Sequence, residues 1–217
     1  MHLVPMRRLA LLALYATVFI ACHYGPSSSA TASGNDVASM KRMLDAGADP
    51  NARDSAGCTS LIAAARAGNV AMIHLLTSRG ADPNLRDAAI NSWTPLQHAI
   101  HKAQPGSVSA LLDAGANPNG TDANGATPLM MAAGYGYADI VKILLARGAN
   151  PRLATRDGIT AIDLARSGVP DLDRFTVFDC QDDTVKALLA ADPKLADHTA
   201  KLPRIARVLM STKRCGA

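Results

Sequence analysis

Along residues 35–193 the apolar side chains fall at helical spacing in short stretches, each followed by Gly and a polar run. Leu129, Ala132 and Ala133 share one helix face, and Ile140, Val141, Ile143, Leu144 and Leu145 stripe the next helix. Residues 35–46 predict one helix with Val37, Met40, Met43 and Leu44 together. Thr127-Pro128 starts its helix well: Thr can cap the N-terminus, and Pro suits the first position, where its missing N–H costs nothing. Gly148 ends the helical pair, since Gly accepts the left-handed conformation at a C-terminus. Leu9 to Ala21 differs from all of this, being apolar on every face for thirteen residues.

The helical pairs repeat. Gly47-Ala48-Asp49-Pro50-Asn51 returns as Gly80-Ala81-Asp82-Pro83-Asn84, Gly115-Ala116-Asn117-Pro118-Asn119 and Gly148-Ala149-Asn150-Pro151, at spacings of 33, 35 and 33. A second marker runs Thr59-Ser60-Leu61, Thr94-Pro95-Leu96, Thr127-Pro128-Leu129 and Thr160-Ala161-Ile162. Each of the first three Thr residues precedes the next Gly-Ala by 21 positions. One such unit cannot bury its own apolar face, so the units must stack.

Over residues 35–193 this pattern resembles the ankyrin repeat, with its T-P-L-H-x-A and G-A-D-x-N segments. The resemblance implies an all-α solenoid of helix–turn–helix units joined by hairpin-like loops. Ile62, Gln97, Met130 and Asp163 stand where the family usually has His, so the helix–turn contact made by that His is expected to be altered. The ends differ from the middle. The first unit keeps only its second helix, over residues 35–46. The last starts at Thr160 and continues near Thr184 to Leu189, around an insertion at about 168–180 expected to be an exposed, mobile loop. Residues 194–217 read as a capping helix or basic tail, through Ile205, Val208 and Leu209.

Thirteen apolar residues after Arg7 and Arg8 are too few to span a bilayer but suit the core of a signal peptide, assigned to 1–21. Phe19-Ile20-Ala21-Cys22 resembles a bacterial lipobox, although Phe stands where Leu is usual. It makes Cys22 the favoured lipidation site and residues 22–34 a flexible tether. Cleavage after Ala30-Thr31-Ala32 is the alternative. The expected location is the periplasm, anchored to the outer membrane.

Composition adds less. The net charge of +4 includes Arg7 and Arg8; without them 20 basic residues face 18 acidic ones, no footprint for nucleic acid. Every acidic residue is Asp, a residue of caps and turns. Aromatic residues are 4% of the chain, so the core must come from small and branched aliphatic side chains. With Cys22 lipidated, Cys58, Cys180 and Cys215 remain. Cys58 and Cys180 lie three repeats apart, beyond disulfide reach along the stack, whereas Cys180 and Cys215 share the C-terminal end and are the candidate pair.

No nucleophile elbow, zinc-protease motif, phosphate loop or Cys-x-x-Cys pair occurs, so no enzyme chemistry and no cofactor is expected. Gly134-Tyr135-Gly136-Tyr137 lacks the third Gly of a dinucleotide fingerprint and falls at an interhelical turn. His98 and His101, at i and i+3, could share a metal ion, but no third ligand is near in sequence; His98 is read instead as a hydrogen-bonded, partly buried side chain.

The function expected from the family is binding of another protein by a monomer, through hairpin tips and the inner face of the first helices. The leading anchor is Trp93, the one Trp, in a hairpin two residues longer than its equivalents, with Ile90, Asn91 and Ser92 at its tip; the alternative is that Trp93 folds over the adjacent repeat as a local cover. Arg66, His101, Lys102 and Tyr135 are expected on the neighbouring inner face, with Asn124 and Arg156 at other tips. An inhibitor or immunity protein against a periplasmic toxin or lipase is the favoured role. A periplasmic partner in catalase and peroxide resistance is the alternative, and an enzyme or a purely structural envelope protein are the other classes.

Overall fold

A computed structural model of the chain describes residues 36–88, 92–167 and 182–197. The expected signal peptide, tether, late insertion and tail beyond residue 197 lie outside these residues, as do Ile90 and Asn91.

The described helices are α1 (Val37–Asp45), α2 (Ser60–Ala67), α3 (Val70–Ser78), α4 (Pro95–His101), α5 (Pro105–Asp113), α6 (Pro128–Gly134), α7 (Ala138–Ala146), α8 (Ala161–Ser167) and α9 (Asp182–Ala191). A 3-10 turn, Pro193–Asp197, packs on α9. Among the described residues there is no strand, only isolated antiparallel bridges, Arg53 with Thr59 and Ala154 with Thr160, which close two hairpins. The helices form two layers. First helices α2, α4, α6 and α8 stack on one another, and second helices α1, α3, α5, α7 and α9 stack behind them.

The repeated residues explain the geometry. Thr59, Thr94 and Thr127 cap α2, α4 and α6, each Oγ1 accepting the amide three residues on, at 3.3, 3.4 and 3.2 Å. Each second helix from α1 to α7 ends in a Schellman turn. At the end of α3, Gly80 turns left-handed (φ 88°) and the Ala81 amide donates back to the Leu76 carbonyl at 3.0 Å. Ala81, Ala116 and Ala149 are buried as a result, which is why Ala follows Gly in the repeat.

The Asn that closes each Gly-Ala segment ties one unit to the next. Asn84 Nδ2 donates to the Gly115 carbonyl at 3.2 Å, and its Oδ1 accepts the Asn117 amide at 2.8 Å. Asn51 does the same to Gly80 and Asp82, and Asn119 to Gly148 and Asn150. In the last unit Arg152 takes this position and pairs with Asp192 after α9.

Between the layers runs one aliphatic core. Ala64, Ala65, Ala99, Ala132, Ala133 and Ala165 are all fully buried, which lets the first helices approach closely. Leu76, Leu111 and Leu144, also fully buried, fill the same place in successive second helices. Ion pairs on the outside, such as Arg79 with Asp45 and Arg147 with Asp113, are half exposed and contribute little.

Candidate functional site

The four hairpins share a device that one of them modifies. Asp54 Oδ1 accepts the amides of Ala56 and Cys58, both at 2.9 Å, and Asp122 Oδ1 those of Asn124 and Ala126, at 2.8 and 2.9 Å. Thr155 Oγ1 accepts the Ile159 amide at 3.2 Å in the last hairpin. Asp87 holds the equivalent position in the longer hairpin. Its Oδ1 accepts the Trp93 amide at 3.1 Å, and its own amide donates to the Trp93 carbonyl at 2.8 Å. The two extra residues are therefore closed off by the same carboxylate. Just before Trp93, Ser92 is left-handed (φ 51°) and its carbonyl accepts from Arg86 Nη1 at 2.9 Å.

Trp93 is not an exposed tip. Its side chain folds back over α4 and leaves the residue 8% accessible. The indole meets the His98 ring edge-on at 5.4 Å between centroids and lies 5.3 Å from the His101 ring. Of the two expectations for Trp93, the local cover is the one seen, since the two imidazoles on α4 give the ring an edge-on and a tilted aromatic contact that solvent does not. Cys58, Ala126 and Ile159 occupy the same place in the other units, directly before the capping Thr.

His98 is hydrogen-bonded, as its position in the repeat leads one to expect, and it is fully rather than partly buried. Its Nε2 lies 2.7 Å from Asp87 Oδ2, and both side chains are buried, at 7% and 3% exposure. A carboxylate only accepts, so Nε2 carries the proton. Burial pushes the His98 imidazole below the ordinary His value, and the positive charges of Arg66 and Lys102 add to this against the pull of Asp87. Burial likewise lowers the Arg66 guanidinium, opposed by the Asp87 charge.

From Trp93 an aromatic band continues into the next unit. His101 Nδ1 is hydrogen-bonded to the Tyr135 hydroxyl at 3.1 Å, their rings 5.8 Å apart, and Tyr135 lies 5.5 Å from Tyr137. Thus the structure brings Trp93, His101 and Tyr135 together, with Arg66 and Lys102 around Asp87 and His98. Tyr135, Tyr137, Arg66 and Lys102 are half-buried, whereas every residue of α4 is buried. Asn124 and Arg156 are exposed on the tips of the following two hairpins, away from this cluster in the repeat order. His98 and His101 already have protein partners, and among the described residues no three His, Cys or Asp side chains are grouped as metal ligands.

Cys58 is disulfide-bonded, a role the sequence reading did not give it. The other cysteines, Cys22, Cys180 and Cys215, all lie outside the described residues. Spacing along the stack missed the Cys58 disulfide because it places only cysteines carried by the repeats themselves.

A sequence profile described as ankyrin repeats (3 copies) matches residues 27–122, 71–155 and 106–201. The chain belongs to the ankyrin-repeat family. No curated protein matches it closely enough to count as a relative. Ankyrin stacks are protein-interaction scaffolds, presenting first helices and hairpins along one extended surface. Among the described residues no helix is long and apolar enough to cross a membrane.

This ankyrin chain replaces the usual His of its T-P-L-H segments in two working ways. Gln97 Oε1 accepts the Thr94 amide at 3.0 Å while its Nε2 donates to the Ala126 carbonyl at 3.4 Å, so it completes a capping box and ties two units. Asp163 Oδ2 accepts the Thr160 amide at 2.9 Å and its hydroxyl at 2.6 Å. The thioether of Met130 lies 3.4 Å from the Thr127 amide, and Ile62 only packs in the core.

Proposed function

We propose that this ankyrin chain is a non-catalytic binding protein of the bacterial cell envelope, and that it acts by occluding a toxin or lipase delivered to the periplasm. The observation that carries the binding half is the cluster on the first-helix layer. Half-buried Tyr135 and Tyr137 extend from a base of Trp93 and two His rings fixed by hydrogen bonds, and the half-buried charges of Arg66 and Lys102 act on His98 in that base. Aromatic and Arg side chains on a rigid base lose little entropy on docking and commonly carry interface energy. Arg66 and Tyr135 are the residues expected to contribute most, with Asn124 and Arg156 at the margin. The envelope half rests on Arg7-Arg8, the apolar Leu9–Ala21 segment and the lipobox-like Phe19–Cys22.

Affinity capture from solubilised envelope tests the binding half. Wild-type protein should enrich one stoichiometric soluble partner, and a folded Arg66→Ala, Tyr135→Ala double variant should lose it. Equal recovery by the double variant would place the interface elsewhere. Fatty-acid labelling tests the anchor: wild type should label and Cys22→Ser should not.

A further inference from the structure

We propose that Asn124, at the tip of the hairpin between α5 and α6, is a site of spontaneous deamidation, and that the bonds between units shield Asn119 from the same reaction. Asn119-Gly120 and Asn124-Gly125 are the two Asn-Gly pairs of the chain. Gly after Asn favours this chemistry, because no side chain hinders the following backbone nitrogen from reaching the Asn side-chain carbon. The two pairs sit in similar turns. The Gly120 amide donates to the Asn117 carbonyl at 3.3 Å, and the Gly125 amide to the Asp122 carbonyl at 3.1 Å. The Asn119 backbone amide donates to Asn117 Oδ1 at 2.9 Å, and that of Asn124 to Asp122 Oδ1 at 2.8 Å. Backbone hydrogen bonding is therefore alike at the two pairs.

The side chains differ. Asn119 Nδ2 donates to the Gly148 carbonyl at 3.1 Å and its Oδ1 accepts the Asn150 amide at 2.8 Å, so the next unit holds both ends of its amide. Held this way, its side-chain carbon cannot swing onto the Gly120 nitrogen. Asn124 is exposed, and among the described residues its side chain makes no hydrogen bond. In the reaction the Gly125 nitrogen attacks Asn124 Cγ, and the side-chain nitrogen leaves as ammonia with the proton that the Gly125 nitrogen gives up. Water then opens the cyclic imide, at Cγ to give Asp or at the backbone carbonyl to give isoaspartate. One water is consumed, one ammonia is released, and nothing is oxidised or reduced. A neutral amide becomes a carboxylate at the tip, while the ladder residue Asn119 is spared and the stack stays joined. That the new charge falls at the margin of a partner's foothold rests on the binding reading above; the reaction itself does not.

The full chain is incubated in mildly alkaline buffer, cut before its Asp residues and read by mass spectrometry. The cuts separate residues 113–121, with Asn119, from residues 122–138, with Asn124. Both side-chain bonds must break before Asn119 can react, which slows it by about thirtyfold. The expected result is amide loss in 122–138, partly as a new 124–138 fragment where Asp forms, while 113–121 stays amidated and circular dichroism is unchanged. Asn124→Gln should abolish the loss in 122–138. The same chain in urea supplies the intrinsic rates, and there both pairs should react at similar rates. Equal rates at the two sites in the folded chain, or Asn119 reacting first, would overturn the proposal. So would an Asn124 that reacts in urea but stays amidated in the folded chain. None of these readouts needs a partner, so they stand apart from failure of the capture experiment.

Discussion

Replacing Asn84 by Ala removes the side chain that joins the second full unit to the third and nothing from the core. Two hydrogen bonds are lost, from Nδ2 to the Gly115 carbonyl at 3.2 Å and to Oδ1 from the Asn117 amide at 2.8 Å. Asn84 is exposed, so water can reach both orphaned groups and the net worth of each bond is about 1 kcal/mol. The expected loss is about 2 kcal/mol of unfolding free energy. In a stack held by nearest-neighbour interfaces, this loss falls on one interface and also lowers cooperativity between the two halves. Urea unfolding followed by circular dichroism and by Trp93 emission measures both effects. Asn51→Ala and Asn119→Ala remove the same pair of bonds at other interfaces, and each should cost a similar amount. A loss below about 0.5 kcal/mol for all three would refute the claim that this ladder couples the units.

Other outcomes follow from single residues. Trp93→Ala should destabilise the protein by about 3–5 kcal/mol in urea unfolding, because the ring is buried over α4 rather than waiting for a partner. Ala103 is left-handed (φ 52°) at the turn where the neighbouring units have Gly68 and Gly136, so Ala103→Gly should stabilise by about 1 kcal/mol, read as a raised urea midpoint. His98 has a folded-state value below its unfolded value of 6.5, so the unfolded chain binds more protons between the two. Its contribution to stability should be complete above pH 6.5 and decline as pH falls toward the folded value, a slope that His98→Gln should remove from the stability–pH profile.

The repeat carried the fold because its signals are local. Thr before Pro caps a helix, Gly followed by a buried Ala ends one, and a fixed interval between them sets the stack; each needs only neighbouring residues. Gln97 and Asp163 could likewise be placed opposite a capping Thr by register, although what they bond had to be seen. The site was legible only as a set of positions. Arg66, His101, Lys102 and Tyr135 were assigned to the first-helix face, and the structure gathers them there with Trp93. The direction of Trp93 stayed open between a partner anchor and a cover over its own repeat, because the choice depends on two ring contacts made with α4. Asp87 was passed over as one more turn residue. The signal was available: a His four residues after the capping Thr, where the other units carry apolar side chains, beside an Asp at the hairpin's fixed position. Spacing along the stack set Cys58 aside from pairing with Cys180 and gave it no disulfide, whereas Cys58 is disulfide-bonded to a cysteine outside the described residues.

The central claim, a protein-binding surface on the first-helix layer from α2 to α6, is tested most directly by site-specific photocross-linking in the native envelope. A benzophenone side chain replaces Tyr135 in one variant and Lys142, exposed on α7 in the second layer, in another. The account predicts one discrete protein adduct from position 135 and none from position 142. An adduct of equal yield from position 142, or none from position 135 in a folded and exported variant, would contradict it.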